Sequence, residues 1–224
     1  MKFGLKGITD LKTYNFACEL GFSELGFDLR PKSFNFTQGY KIKEILKQSE
    51  EWVNLVLQFE GEKEFLIKEL LNDLQTSTSQ FLSLAIEKPI ELKKIDELAH
   101  PYSLKYEQGL KLSEIKACDN LTRLVFGQEF LDELNQNGEL YGFFDIIRSE
   151  TDLELEVQTD WDSAMLMTLI DTYNIEALSW EINNKVELSY RCLDFQLVES
   201  HMQKVGLIMS ESVDNDPLIN EEKI

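Results

Sequence analysis

Apolar residues recur along this chain with two spacings, one typical of strands and one typical of amphipathic helices. The short apolar runs predict strands over 5–8, 24–29, 52–59, 80–87, 102–106, 122–126, 153–157 and 177–182. Helical spacing follows most of these runs, over 11–20, 40–46, 62–74, 90–99, 113–118, 163–173 and 195–205. Thr9 and Asp10 are candidates to cap the first helix, and Gly21 ends it. A strand-helix repeat with short connections predicts a parallel sheet with right-handed crossovers.

Eight such units close most economically into a (β/α)8 barrel, which is the predicted fold, an α/β TIM barrel in one small domain over 1–209. An open doubly wound sheet is the alternative. The chain contains no GxGxxG and no GxxxxGK[ST] motif, so the phosphate-binding loops of common nucleotide folds are not expected. Residues 210–224 are acidic, contain Pro217 and lack periodicity, and are predicted to be a flexible tail.

The net charge of the chain disfavours some classes of binding partner. There are 22 basic and 41 acidic residues, for a net charge of −19. Such a field repels the phosphates of nucleic acid and disfavours an anionic membrane surface, so neither partner is expected. No apolar run is long enough to span a bilayer, and the first ten residues lack the apolar segment of a secretory signal. We therefore expect a cytoplasmic protein.

Metal and disulfide chemistry have little support. The three cysteines, Cys18, Cys118 and Cys192, are far apart, and the only histidines are His100 and His201. No CxxC pair occurs, so neither a zinc site nor a disulfide framework is predicted, and no cofactor is expected.

Several segments resemble the phosphoribosylanthranilate isomerase family, which acts in tryptophan biosynthesis. That family has a first strand ending K-x-C-G-I-T, a helix ending E-L-G-A, and a second strand followed by P-K-S-P-R. The matching stretches here are 5–9 (LKGIT), 19–21 (ELG) and 31–35 (PKSFN), and 181–187 (EINNKVE) is similar to a later D-V-S-S-G-V-E loop. The resemblance covers about the first fifty and the last forty residues, and only the strand-helix repeat matches between them.

The resemblance implies a barrel that converts a phosphoribosyl aminoaldose into an aminoketose, using a general acid and a general base. Lys6 stands where the family has its cysteine base, and Asn35 stands where it has the arginine for the substrate carboxylate. No carboxylate ends the sixth strand before Glu129; Asp145 or Asp132 is a candidate to supply the acid from further along the chain.

The family's phosphate-binding loops are also changed. Its seventh loop reads A-G-G-L, where this chain has Gln158, Thr159 and Asp160, and Lys185 replaces a glycine of the eighth loop after Asn183 and Asn184. Side chains then fill space that a phosphate needs, although Lys185 offers a point charge in return. Together with Asp28 and Arg30 at the end of the second strand, these residues form the predicted substrate-binding set: Asp28, Arg30, Asn35, Gln158, Thr159, Asn183, Asn184 and Lys185.

Lys6 has two interpretations. At the end of the first strand it faces the barrel mouth, where a lysine can act as a base or a Schiff-base nucleophile. Alternatively it forms an ion pair with a neighbouring strand-end carboxylate, for which Asp28 and Glu181 are candidates; this interpretation is favoured.

Three functions remain open. The favoured one is an isomerase-like barrel with lost or altered catalysis, including a different reaction on a sugar-like substrate through Lys6. The others are a working isomerase with substituted residues and a non-catalytic barrel that binds a ligand or a protein. A small phosphorylated or sugar-like ligand is a candidate partner in each, and the protein is expected to be a monomer or a homodimer.

Overall fold

A closed barrel of eight parallel strands, hydrogen-bonded in chain order, forms the centre of the protein. The computed structural model describes residues 1–49, 53–88, 91–162, 173 and 175–214. The barrel strands are β1 Lys2–Lys6, β2 Glu24–Asp28, β3 Asn54–Phe59, β4 Leu82–Ile86, β5 Tyr102–Lys105, β6 Leu121–Gly127, β7 Glu154–Gln158 and β8 Ala177–Glu181. β1 pairs with both β2 and β8, which closes the barrel and confirms the predicted fold.

Helices follow the strands and surround the barrel. Those described are α1 Leu11–Glu19, α2 Gly39–Gln48, α3 Glu64–Gln75, α4 Leu92–Asp96, α5 Leu112–Ile115, α6 Gln128–Gln136, α7 Leu140–Glu150 and α8 Phe195–Asp214. The predicted cap of the first helix is confirmed, because Asp10 Oδ1 accepts a hydrogen bond from the backbone N–H of Thr13 at 2.9 Å. The helix predicted over 163–173 lies outside the described residues except for Tyr173. No helix among the described residues is long and apolar enough to cross a bilayer.

β1 lies earlier in the chain than the apolar pattern predicted, since it ends at Lys6 and not at Ile8. Gly7 has φ of 90°, a conformation that glycine adopts without a steric cost. The N–H groups of Gly7 and Ile8 both donate to the carbonyl of Gly26, each at 2.9 Å, which turns the chain out of the strand. Ile8 is apolar because it is fully buried in the loop, and not because it belongs to the strand.

Four further elements were not predicted. α6 and α7 occupy the segment after β6, and a small hairpin of β9 Glu187–Ser189 and β10 Cys192–Leu193 precedes α8. α8 continues to Asp214, beyond the domain boundary predicted at 209, so residues 210–214 are helical. The flexible tail stays a prediction for the remaining residues, 215–224, which lie outside the described part.

The strands are apolar on their outer faces and mostly polar on their inner faces. Leu5, Leu25, Leu57, Leu84 and Trp180 are fully buried and belong to the core between the barrel and its helices. The residues between them along the strands face the barrel axis, and many are charged or polar: Lys2, Lys6, Glu24, Asp28, Gln58, Arg123, Glu154, Glu156, Gln158, Ser179 and Glu181. A barrel interior is more often filled by branched apolar side chains. The polar interior therefore brings the candidate chemistry of this protein together.

Candidate functional site

Charged side chains cross the interior of the barrel as one connected set. Arg123 on β6 binds Glu24 on the opposite strand β2 through both carboxylate oxygens, at 2.6 and 2.8 Å. The same guanidinium reaches Glu154 at 2.7 Å and Glu156 at 2.9 Å. Lys2 binds Glu154 at 2.7 Å. With Lys6, described next, these residues form the inner ion-pair network (Lys2, Lys6, Glu24, Arg123, Glu154 and Glu156), in which three positive and three negative charges balance.

Lys6 belongs to this network and does not project freely into the mouth. Its Nζ atom lies 2.6 Å from Oε1 of Glu156, and the side chains of the pair are 7% and 3% exposed. The expected ion pair is therefore present, but its partner is Glu156 on β7 and neither Asp28 nor Glu181. Gly26 makes room for the lysine, because a Cβ atom there would lie 3.0 Å from Lys6 Cγ.

Glu156 is the centre of the network. Burial alone would raise the pKa of its carboxyl group, but the charges of Lys6 and Arg123 and the hydrogen bonds from Lys6 and Ser179 outweigh burial and lower the pKa to about 2. The Ser179 hydroxyl donates to Glu156 Oε1 at 2.6 Å. The carboxylate is thus held ionised, and its Oε1 atom binds both the Nζ atom of Lys6 and the hydroxyl of Ser179.

A second cluster closes the C-terminal end of the barrel, which is the mouth where barrels of this fold place their sites. We call it the mouth cluster: Asp28, Arg30, Glu87 and Glu181. The Arg30 guanidinium donates to Asp28 at 2.8 and 2.5 Å and to Glu181 at 2.9 Å, and it also pairs with Glu87. Burial alone would lower the pKa of Arg30, but the hydrogen bond to Asp28 and the charges of Glu87, Asp28 and Glu181 raise it. Arg30 is therefore permanently charged and spans the mouth.

Two glutamines border the mouth cluster. Gln158 at the end of β7 donates to Glu181 Oε2 at 3.0 Å, so this predicted site residue does belong to the mouth. Gln58 on β3 lies in register with Asp28, is 2% exposed, and has a side-chain oxygen with no hydrogen-bond partner. A buried acceptor without a partner is uncommon in native structures.

Asn35 is a connector between loops rather than a side chain facing the mouth. It is buried, and its Nδ2 donates to the backbone carbonyl of Ile182 at 2.6 Å. It also packs directly against Gly7, where an added Cβ atom would lie 2.5 Å from Asn35 Nδ2. The amide therefore joins the loops after β1, β2 and β8. In this position Asn35 supplies neither the positive charge nor the paired N–H donors with which an arginine binds a carboxylate.

The end of β6 offers no acid at the mouth. β6 ends at Gly127 and α6 begins at once with Gln128, whose side chain accepts a hydrogen bond from Thr159 at 3.0 Å and donates to Asp132 at 2.9 Å. This contact places the predicted site residue Thr159 against the start of α6. Asp145 is an exposed residue in the middle of α7, in the outer layer of helices, and the structure does not bring it to the mouth.

The loops after β7 and β8 meet through side chains. Lys185 pairs with Asp160 at 2.5 Å and with Asp162 at 3.2 Å, while the Trp161 indole donates to the carbonyl of Glu181 at 2.8 Å. Hydrogen bonds with Asp160 and Asp162 raise the pKa of Lys185, and Lys185 in turn lowers the pKa of Asp160 in spite of burial. Asn183 accepts from the backbone N–H of Lys185 at 2.9 Å, and Asn184 is an exposed turn residue. The charge of Lys185 is thus already matched by carboxylates.

The described residues contain no group of three or more His, Cys, Asp or Glu side chains arranged to hold a metal ion. No disulfide joins the three cysteines within this part of the chain.

Sequence reasoning missed the residues that organise the interior. Arg123, Glu156, Ser179 and Gln58 were not predicted as site residues, because no motif contains them. Their signal was the alternation within strands such as ELEVQ of β7, where Glu154, Glu156 and Gln158 share one face. In a barrel that face is the interior, so this alternation together with closure points to Glu156. Arg123 has no such signal, because the polar residue Thr122 beside it lies on the other face of β6.

Comparison with known proteins supports the fold. No protein-family model matches the chain, and no curated protein matches it. Among solved structures, phosphoribosyl anthranilate isomerase from Thermus thermophilus is similar with a TM-score of 0.68 and 14% identity, over 93% of this chain and all of that one. Monomers of the dimeric isomerase from Thermotoga maritima give 0.69 and 15%, over 92% and 98%. An isomerase in complex with reduced 1-(o-carboxyphenylamino)-1-deoxyribulose 5-phosphate gives 0.67 and 14%, over 92% and 98%. At these identities the likeness establishes a shared barrel fold.

Proposed function

We propose that this protein is a diverged barrel of the phosphoribosylanthranilate isomerase type that has lost the isomerase reaction. The observation that carries the proposal is the buried pair of Lys6 and Glu156. Lys6 stands at the position of the family's base, but its Nζ atom is bound to Glu156 inside the barrel, where the side chain is only 7% exposed. A base has to lie within reach of the proton that it removes, and this contact holds the amine inside the barrel.

The other contacts support the same proposal. Gln128 follows β6 where the resemblance requires an acid, and its side chain is engaged by Thr159 and Asp132. Asn35 is turned to the backbone of Ile182, away from a substrate carboxylate. A positioned acid or base contributes about 10²–10⁴-fold each to the rate, so losing both removes most of the acceleration such a site supplies.

The phosphate end of the site supports it as well. Solved relatives in fold include one bound to a phosphorylated analogue. In this chain, Asp160, Trp161 and Lys185 occupy the loops where backbone N–H groups approach a phosphate, and Lys185 is paired with two aspartates. A phosphate arriving there meets carboxylates before it meets an unpaired cation. We extend the proposal to a cytoplasmic protein that retains a ligand-binding mouth without this reaction.

The decisive experiment is complementation of a bacterial tryptophan auxotroph that lacks the isomerase, together with an assay of the purified protein on phosphoribosylanthranilate. A working isomerase from another source is the positive control, and a blot for soluble protein shows that the chain is expressed. We expect no growth and no turnover above the uncatalysed rate.

Growth would contradict the proposal and favour a working isomerase with substituted residues. In that event the Lys6→Met variant separates the remaining possibilities. Loss of turnover by purified, folded Lys6→Met would make Lys6 the base, whereas unchanged turnover would assign the proton transfer to another group.

A further inference from the structure

The mouth cluster has the chemistry of a cation site that is already filled. Three carboxylates converge on one guanidinium: Asp28 from β2, Glu87 from just after β4, and Glu181 from β8. These strands lie on different sides of the barrel, so Arg30 bridges the opening rather than lying along its rim. Its side chain is only 12% exposed. A planar fork of N–H donors matches convergent carboxylates better than any other side chain does.

The carboxylates outnumber the cation that they surround. Lys105 approaches Glu87 only at 3.7 Å, so the strong contacts at the mouth are those of Arg30. If Arg30 swung out to solvent, the fully buried Asp28 and the partly buried Glu87 and Glu181 would lie together without a close counter-ion. Buried carboxylates without a partner are strongly unfavourable. A cation between these three side chains is therefore needed to stabilise them.

An independent observation points to a ligand with N–H groups. The Gln58 side chain is 2% exposed, and its oxygen has no donor. This oxygen faces the barrel interior, because it lies 3.2 Å from the position of a Cβ atom added to Gly26 on the inner face of β2. Gln58 is also the register partner of Asp28. A donor bound at the mouth and reaching inward would satisfy it.

We propose that the barrel mouth binds the guanidinium or ammonium group of a small ligand, and that Arg30 occupies this site when the ligand is absent. The inference deepens the proposed function, since it replaces the anionic substrate of the family with a cationic ligand of this same mouth. Arg30 then acts as a plug. A ligand competes with a group that is tethered next to the site, so the intact mouth binds free cations weakly, and removal of Arg30 exposes the underlying affinity.

The test uses the whole chain and ethylguanidinium as the probe. Thermal unfolding of the wild type and of Arg30→Ala is followed with ethylguanidinium chloride, with sodium chloride at equal ionic strength, and with sodium phosphate. We expect the unfolding temperature of Arg30→Ala to rise with ethylguanidinium by about 3 °C at ten times the dissociation constant, relative to sodium chloride. The wild type should show a smaller rise that needs more ethylguanidinium, and no rise at any concentration overturns the proposal.

Arg148→Ala is the matched control, because Arg148 also pairs with a carboxylate, that of Glu176, but outside the barrel and 32% exposed. The proposal is overturned if Arg148→Ala responds as strongly as Arg30→Ala, if Arg30→Ala shows no specific response, or if phosphate stabilises it more than ethylguanidinium does. Adding Gln58→Leu to Arg30→Ala should weaken ethylguanidinium binding several-fold, since the unpaired acceptor is then gone.

Arg30→Ala leaves three carboxylates without their cation and is at risk of not folding. If it does not fold in any of these solutions, Arg30→Lys replaces it. A lysine keeps the positive charge but lacks the planar set of N–H donors of the guanidinium. Ethylguanidinium should then stabilise Arg30→Lys more than the wild type, and an equal effect on both overturns the proposal. None of these readouts uses isomerase activity, so the result is independent of the complementation experiment.

Discussion

The Nζ atom of Lys6 lies 2.6 Å from Oε1 of Glu156, with both side chains enclosed by the barrel. β8 separates the two strands that carry them, so the pair spans the interior rather than joining neighbours on the sheet. This relationship explains why a lysine at the end of β1 stabilises the barrel instead of serving the mouth. It also makes the interior sensitive to single substitutions.

Replacing Lys6 with methionine should destabilise the protein by about 3 kcal/mol, because removal of one partner leaves a buried charge with fewer counter-ions. Glu156 still binds Arg123 and Ser179, so the loss should fall short of complete unfolding. Urea unfolding measures the change. The control is Lys41→Met, which breaks the exposed pair with Glu44 and should cost far less. Equal losses of stability in the two variants would show that the buried pair contributes no more than an exposed one.

The stability of the protein should fall in acid because of Glu156. Its pKa is about 2 in the folded protein, below its ordinary value of 4.5. A depressed folded pKa means that the unfolded chain takes up the proton first, so the contribution is complete above about pH 4.5 and is lost as the pH falls towards 2. Unfolding free energies measured across this window should decrease for the wild type. In Glu156→Gln the decrease should be smaller by the share of one carboxyl group; an unchanged slope would contradict the assignment.

Gly7→Ala should lower the free energy of unfolding by more than the strain of its backbone conformation alone would. Its φ of 90° disfavours any residue with a Cβ atom, and that atom would also lie 2.5 Å from Asn35 Nδ2. Gly21 provides the matched control, since its φ of 84° is similar and no atom lies within 4 Å of an added Cβ. We expect Gly21→Ala to cost about 1 kcal/mol and Gly7→Ala at least about twice as much. Thermal unfolding of both variants tests this. Equal losses of stability would show that the Asn35 side chain moves away from the added Cβ atom without a penalty.

Asp160→Asn together with Asp162→Asn should improve binding of inorganic phosphate. Lys185 is now matched by both aspartates, and asparagine at 160 still accepts the hydrogen bond from the Trp161 backbone N–H. Removing two negative charges near the cation should tighten phosphate binding by about tenfold at low salt and less at high salt. Phosphorus NMR titration measures the effect, with Asp152→Asn, an exposed residue before β7, as the charge control.

The fold could be predicted from the sequence because its evidence is local. The alternation of short apolar runs with helical spacing identified the eight barrel strands, and Asp10 marked the start of α1 as predicted. Boundaries were less accurate where a buried loop residue imitates a strand, as Ile8 does. α6 was missed where no loop separates it from the preceding strand, since β6 ends at Gly127 and α6 begins at Gln128.

The departures at Lys6, Asn35 and Lys185 were also evident in the sequence, since each falls within a short motif. What each side chain does instead was decided by the tertiary structure. Glu156 is 150 residues away from Lys6 in the chain, and Ile182 is 147 residues away from Asn35. Only barrel closure brings such pairs within hydrogen-bonding distance, because the inner faces of all eight strands then share one narrow, poorly solvated space in which each charge must find a partner. The sequence alone determined the barrel and the substitutions, and the closed barrel decided which charges pair and that Arg30 fills the mouth.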